Sequence, residues 1–453
     1  GEEIASAGYF GLTLGKDAPA SLTAILDEGL VHAYDRALFN ARHKARAKLR
    51  FGQLGESLWD MDLAPVEIVR ESVPAEYEID PCSISPKKIS SHLRDISKEL
   101  AAMDSRILYN QVGASTMLER EFFTSSEGAA IDQTFAITHG MAYVVASGKE
   151  GIQEHYDDIG HQRGWEVIES GCRGPLIFSK DLRSFSLALA HDTLELADAP
   201  PLPDTGKPVT VVTDPHFNAL LAHEIIGHPN ELDRALKMET AYAGRSWLLH
   251  DLENNQIGRQ IASPLLSAYS DPTLPGFGHY LYDDEGTRGR KVYHIERGMY
   301  RGFMNSRQTA AVFGEEPNGS YKSTDASLVP LIRMSTTVIE NGNRAAGDII
   351  GEIDHGYYLV GHRIPSIAES RENFRITARK VYEIKNGARG RLFRDGGITA
   401  DSRDFLMQID AVGNDFRIFP ISNCGKGQPM QSKKLGNGGP SLRSRARLTG
   451  TSG

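Results

Sequence analysis

With 453 residues the chain can fill one large domain or two to three ordinary ones, so core size sets no limit. A formal net charge of −9 argues against general nucleic-acid binders, which need a basic face for phosphates. No apolar run reaches bilayer length, no secretory signal opens the chain, and the three cysteines (Cys82, Cys172, Cys424) are too scattered for a disulfide framework; a reducing cytoplasm is expected, with no membrane partner.

The first residue is Gly1 rather than Met, and Gly8 to Leu14 reads as strand material from inside a domain, so a preceding segment is expected to be missing. Residues 21–46 read as a long helical region interrupted at Gly29. Ser85-Pro86 is a cap followed by a first-turn proline. Ile89, Leu93, Ile96, Leu100 and Met103 then recur at helical spacing as a core-facing stripe. Phe135, Ile137, Met141, Tyr143 and Val145 alternate as in a half-buried strand, and 181–198 is helical again. Ala199-Pro200-Pro201-Leu202-Pro203 is the expected boundary between an N-terminal α+β region (1–200) and a C-terminal β-rich domain (206–453), an α+β fold as a whole.

Beyond the linker come a short strand over 209–212, a helix capped by Asp214-Pro215, and much glycine. Lys291 to Gly298 and Lys380 to Gly387 resemble each other, each alternating into a turn that ends in glycine; this suggests hairpins, arisen by duplication or by coincidence. Residues 426–447 carry six basic side chains among glycines and serines and read as a solvated loop near a terminus.

The chemistry gathers in His223-Glu224-Ile225-Ile226-Gly227-His228. Two histidines four apart share a helical face and can reach one metal. Here the spacing is five, which on a regular helix turns His228 about 140° away from His223. Pro229 disfavours helix at His228 and Gly227 frees the backbone, so the helix is expected to end near Gly227 and let His228 swing back. The spacing alone weighs equally for a core histidine at 223 and a capping histidine at 228, with Glu224 solvated. Glu231 and Asp233 can orient a ligating imidazole through its other N–H. Cys424, beside Gly425 and near Lys426, is expected to be an exposed, stabilised thiolate. Two histidines plus this cysteine leave an open fourth position, as in catalytic zinc sites. Glu231 as the third ligand is the alternative.

Leu221-Ala-His223-Glu224-Ile-Ile-Gly227-His228-Pro-Asn-Glu231-Leu-Asp233 resembles the TldD/PmbA signature His-Glu-Ala-x-Gly-His-x-x-Glu-x-Asp, and Cys424-Gly425-Lys426-x-Gln428 its C-terminal motif, shortened by one residue. Asp283 to Thr287, Asn305 to Ala310 and Pro330 to Met334 fall between them in family order, so the likeness spans about Pro208 to Leu442. The resemblance implies a Zn2+-dependent peptidase that trims short or unfolded peptides, leader segments among them. It assigns His223, His228 and Cys424 as metal ligands and Glu224 as the general base. It also implies a heterodimer with a metal-free paralogue, or else a homodimer. Gly361 to Ser366 and Ser335-Thr336-Thr337 depart from the family pattern; both lie outside the metal motif and bear on peptide preference. Arg333 is a weak candidate for an oxyanion donor, with a buried ion pair the competing reading. Two other functions fit the sequence: a non-catalytic peptide-binding subunit keeping a structural metal, and a metal hydrolase of non-peptide amides. Glu224 speaks against the first, since a structural site needs no base.

Overall fold

The structure, a computed structural model, describes residues 6–14, 22–52, 62–241 and 244–450. Helix α1 (Leu22–Phe51) runs through Gly29 without a break and buries only Ala41. Residues 8–14 form no strand, contrary to the sequence reading; Tyr9 instead donates its hydroxyl to the Ala326 carbonyl. Helix α2 (Pro86–Met103) begins where its residues dictate. Ser85 accepts the Lys88 N–H at 3.2 Å, Ile96 and Leu100 are buried, and Met103 at the end of the stripe is exposed.

Strands β1 (Arg70–Val73), β2 (Ile107–Thr124), β3 (Ala130–Gly148) and β4 (Gly151–His161) form one sheet in which β3 pairs with all three others. Ala142 and Val144 of β3 point into a core with Ile96, Leu100, Trp165 and Leu189, so α2 and helix α3 (Leu182–Ala197) cover one face. Phe135 and Ile137 pack instead on Phe277 and Tyr280 from the C-terminal part. The linker is no free tether: Leu202 is buried and its N–H bonds Arg394 O.

The C-terminal part is β-rich, as expected. Strands β5 (Val209–Thr213), β6 (Ala268–Ser270), β7 (Val292–Glu296), β8 (Met299–Tyr300) and β9 (Thr336–Ile339) come first. They are followed by β10 (His355–Ile367), β11 (Asn373–Lys385), β12 (Ala388–Phe393) and β13 (Gly396–Asp401). The last three are β14 (Arg417–Lys426), β15 (Gln431–Gly439) and β16 (Leu442–Gly450). One sheet runs β10-β5-β16-β13-β11-β12, and pairing of β10 with β11 closes five of its strands into a ring. A second runs β8-β7-β6-β9-β15-β14 and ends on β14. Both hairpins read from sequence exist, each turning on two left-handed residues, Arg297-Gly298 and Asn386-Gly387, the geometry that matches strand twist. They lie in different sheets.

The basic tail is not a solvated loop. Residues 431–450 supply β15 and β16, with Leu442, Ser444, Ala446 and Leu448 buried and Arg443, Arg445 and Arg447 at the alternate positions. In β16 the arginines mark the outward phase of a period-two pattern. Among the described residues no helix is long and apolar enough to cross a membrane.

Candidate metal centre

Helix α4 (Pro215–Leu221) starts on Asp214, whose carboxylate accepts the Phe217 N–H at 2.7 Å. The helix then does not end at Gly227. Residues 222–227 make one π-helical turn and 228–230 a 3-10 turn, with His228 still at φ −58° and ψ −43°. The expectation that the chain turns out of the helix is therefore corrected. The His228 N–H bonds the carbonyl of His223, five residues back, and this i→i+5 closure stacks residues that a 3.6-residue turn would separate. The two rings meet edge to face with centroids 4.6 Å apart. Gly227 is needed for close approach rather than for a left-handed turn: its φ is −60°, and a Cβ there would lie 1.8 Å from Met334 Sδ.

Cys424 comes from β14, where the register with β15 shifts between Ile421 and Cys424; such irregularities re-aim a side chain. Its Sγ lies 3.5 Å from His228 Nε2, and the ligand atoms of His223, His228 and Cys424 all fall within 4.8 Å of one another. The thiol is buried, not exposed, and Lys426 does not stabilise it; Lys426 instead bonds Asp233 at 2.6 Å and Ile332 O at 2.8 Å. Burial alone would raise the thiol pKa, yet the facing His228 and His223 hold it well below the ordinary value. Burial likewise opposes charge on His223, but the thiolate outweighs it and pushes that histidine up to about 9. Cys82 and Cys172 stand outside the group.

Both imidazoles are anchored at Nδ1. Glu231 Oε2 lies 3.1 Å from that atom of His228 and takes Arg234 at 2.5 Å and Lys426 at 3.4 Å. Burial would raise the Glu231 pKa, but Lys426, Arg234 and His228 hold it well below the carboxylate range. Asp233 reaches no imidazole: its carboxylate accepts Lys426, the Arg234 N–H and the Ile332 N–H, so its expected role is corrected to holding the chain below. On His223 the anchor is Asn437 Oδ1 at 3.3 Å, from β15, and Asn437 Nδ2 donates to Thr337 O, which fixes the amide. Sequence reasoning missed Asn437; the one hint was a polar residue set among glycines in Leu435-Gly436-Asn437-Gly438-Gly439.

It also missed Arg371, whose Nη1 donates to Glu224 Oε2 at 2.6 Å, both side chains being nearly buried. Arg371 sits at φ 67° in the β10–β11 turn, pinned by Ser402 Oγ on its carbonyl and by Trp247 N on Ser370 O. Arg333 forms neither an oxyanion site nor a buried ion pair; it donates to the carbonyls of Cys424 (2.6 Å) and Gln431 (3.1 Å), clamping the hairpin that carries the thiol. A second grouping, His191, Asp192 and Glu195, is largely exposed and its acids are tied to Lys380.

Residues 205–446, which include His223, Glu224, His228, Arg371, Cys424 and Asn437, match the family model of the PmbA/TldA metallopeptidase C-terminal domain. The chain belongs to the TldD/PmbA family. It is 29% identical over 350 residues to a metalloprotease of Methanothermobacter thermautotrophicus, covering 77% of this chain and 71% of that one. A zinc metalloprotease TldD homolog of Saccharolobus solfataricus is 30% identical over 239 residues, 51% of this chain and 49% of its own. The fold is also that of TldE from Thermococcus kodakarensis (TM-score 0.63, 20% identity, 94% of this chain and 85% of that one). The family makes the chain a relative of metalloproteases, and His223, His228 and Cys424 form a buried group that could hold a metal ion.

Proposed function

We propose that the protein is a zinc-dependent peptidase acting on short or unfolded peptides, with His223, His228 and Cys424 as ligands and Glu224 as the general base. The observation that carries this reading is the Glu224 carboxylate set beside a buried His/His/Cys group and held by its own arginine. The donors suit zinc. Bond lengths of about 2.3 Å to sulfur and about 2.0 Å to nitrogen, at a tetrahedral angle, imply ligand atoms about 3.5 Å apart. Sγ and Nε2 of His228 are 3.5 Å apart. Three donors from the chain leave one position open, and a relative is named as a zinc metalloprotease.

Zinc held there would act as a Lewis acid on the scissile carbonyl and make water more acidic. Glu224 takes the proton of the attacking water and returns it to the leaving amine. Arg371 fixes the direction of that carboxylate, and Asn437 and Glu231 fix the tautomer and tilt of the imidazoles by occupying Nδ1. A purely structural metal would need no carboxylate held in this way, which favours a peptidase over a binding subunit. We extend the proposal to assembly: the chain pairs with a metal-free paralogue, which sedimentation of the co-expressed pair would reveal.

The test joins metal analysis to a peptide-library cleavage assay, with the purified protein stripped by chelator and reloaded. About one zinc per chain, with cleavage lost on stripping and regained on reloading, is the expected result. Hydrolysis of non-peptide amides alone would shift the reading to that class, and metal-independent cleavage would sink it.

A further inference from the structure

A cleft of about 220 Å³ lies between the N-terminal sheet and strand β14. Its walls are mostly apolar: Ile159 from β4, Phe178 from the segment before α3, Phe185 and Leu189 of α3, and Phe419 and Pro420 of β14. At its floor Arg379 pairs with Asp157, and His216 Nε2 stands 3.4 Å from the same carboxylate. His216 Nδ1 accepts the His362 N–H at 3.2 Å, which leaves the ring proton on the nitrogen facing Asp157. At the rim Asp158 is paired with His139, and Asp192 with Lys380. Its carboxylates are already partnered, Asp158 by an imidazole, and the exposed Lys180 stands at the lining beside them, so the apolar walls rather than a free charge set what the cleft takes. Its volume falls below the roughly 300–1,000 Å³ of a site for a whole small molecule, so it suits a single side chain. The rings of Phe178, Phe185, Phe419 and His216, with the Arg379 guanidinium beneath, favour an aromatic one.

The cleft is built on the two elements that carry the metal group. Phe419 and Pro420 precede Cys424 on β14, and Phe419 pairs in register with Asn437, which holds His223. His216 precedes His223 by seven residues on one continuous helical run. Seven residues return to nearly the same face and advance about 10 Å. An extended peptide covers that distance in about three residues.

We propose that this cleft is a specificity pocket taking an aromatic side chain of the peptide substrate about three residues from the scissile bond. The inference rests on the peptidase reading above. It deepens that reading by making substrates differ in one defined position while the rest of the peptide is read loosely.

The test uses the full-length, zinc-loaded protein and internally quenched peptides of Gly, Ser and Gln. A single Phe is moved along them one position at a time. The expected profile peaks with Phe about three residues from the cleaved bond, at roughly tenfold or more the kcat/KM of the Phe-free peptide. Ala188→Trp, which fills the cleft from α3, should erase the peak and leave Phe-free cleavage and metal content unchanged. Phe185→Ala, which enlarges it, should move the preference from Phe to Trp. Anisotropy with labelled peptides and the Glu224→Gln variant should give the same ranking without turnover. A flat profile among peptides that are cleaved, or a peak that survives Ala188→Trp, overturns the pocket and leaves the peptidase reading standing. Cleavage of none of the peptides sinks the peptidase reading, and the pocket with it.

Discussion

Arg371 reaches Glu224 from a turn 147 residues further along the chain, and its left-handed backbone is held there by bonds to its neighbours. A cation 2.6 Å from the carboxylate proposed as the base restrains its direction as well as its charge. Glu224→Gln should therefore keep the metal and lose about two to four orders of magnitude in kcat. Arg371→Ala should lower kcat more than it raises KM, with metal content intact and partial recovery in Arg371→Lys. Wild-type kcat in Glu224→Gln would remove the base from the mechanism. The third ligand is decided by another pair of variants. The sequence left Glu231 as a rival to Cys424, but Glu231 stands outside the His223, His228 and Cys424 group and its Oε2 is shared by His228, Arg234 and Lys426. Cys424→Ser should abolish zinc binding, whereas Glu231→Gln should weaken it by about 10–100-fold. Metal analysis showing the reverse order would make Glu231 the ligand. The grouping of His223 with His228 was legible because their type and local spacing carry chemistry, and that of Cys424 through the family resemblance of its Cys-Gly-Lys motif. Asn437 and Arg371 were not, because an amide or arginine acquires its role only when distant strands meet.

At the scale of the element, the motif helix shows where local rules fall short. At 3.6 residues per turn a spacing of five places His228 off the face of His223, so the local rule predicts an exit from the helix. A single wider turn brings the ring round while every residue stays near helical angles. Pro229, which lacks an N–H, then sits where the turn tightens again. The sequence does not announce this, since the turn depends on packing against Met334. Gly227→Ala would drive a methyl into Met334 Sδ, and with the chain close-packed there it should cost about 1–3 kcal/mol and weaken metal binding. Adding Met334→Ala should restore part of the metal affinity by clearing the space. Unchanged thermal stability and affinity in Gly227→Ala would mean that the turn does not need the close approach. The tail departs from its expected loop for a related reason. Its six basic residues accompany an alternation of Leu442, Ser444, Ala446 and Leu448, which is the signature of a strand buried on one face.

At the scale of the molecule, the two halves meet across a buried polar layer as well as through apolar contact. Gln153, His155 and Asp157 alternate along one face of β4. Asp157 pairs with Arg379, and Gln153 donates to Asp395 at 3.0 Å, which also lies 3.6 Å from Arg363. Lys380 meets Asp192 and Glu195 of α3. Such a layer cannot be foreseen from sequence, because each charge reads as surface until its partner is known. His155 sits within it at 2% exposure, and among the described residues neither ring nitrogen has a hydrogen-bond partner. Burial, reinforced by Arg363 and Arg379, pushes its pKa down to about 3. The unfolded chain takes up this proton near the ordinary value of 6.5, the folded chain only near 3, so between those values the unfolded state binds more protons. Stability from keeping His155 neutral is therefore complete above about pH 6.5 and declines as pH falls toward 3. His161 and His294, each pushed down to about 4 mainly by burial, add to the same slope. Metal release on acidification would obscure it, so the measurement belongs on chelator-stripped protein. Thermal unfolding between about pH 7 and pH 5 should show Tm falling, and His155→Gln, which cannot take the proton, should flatten that fall without removing it. An identical slope in the variant would mean that His155 already binds its proton in the folded chain, and that this polar layer admits charge on the β4 side.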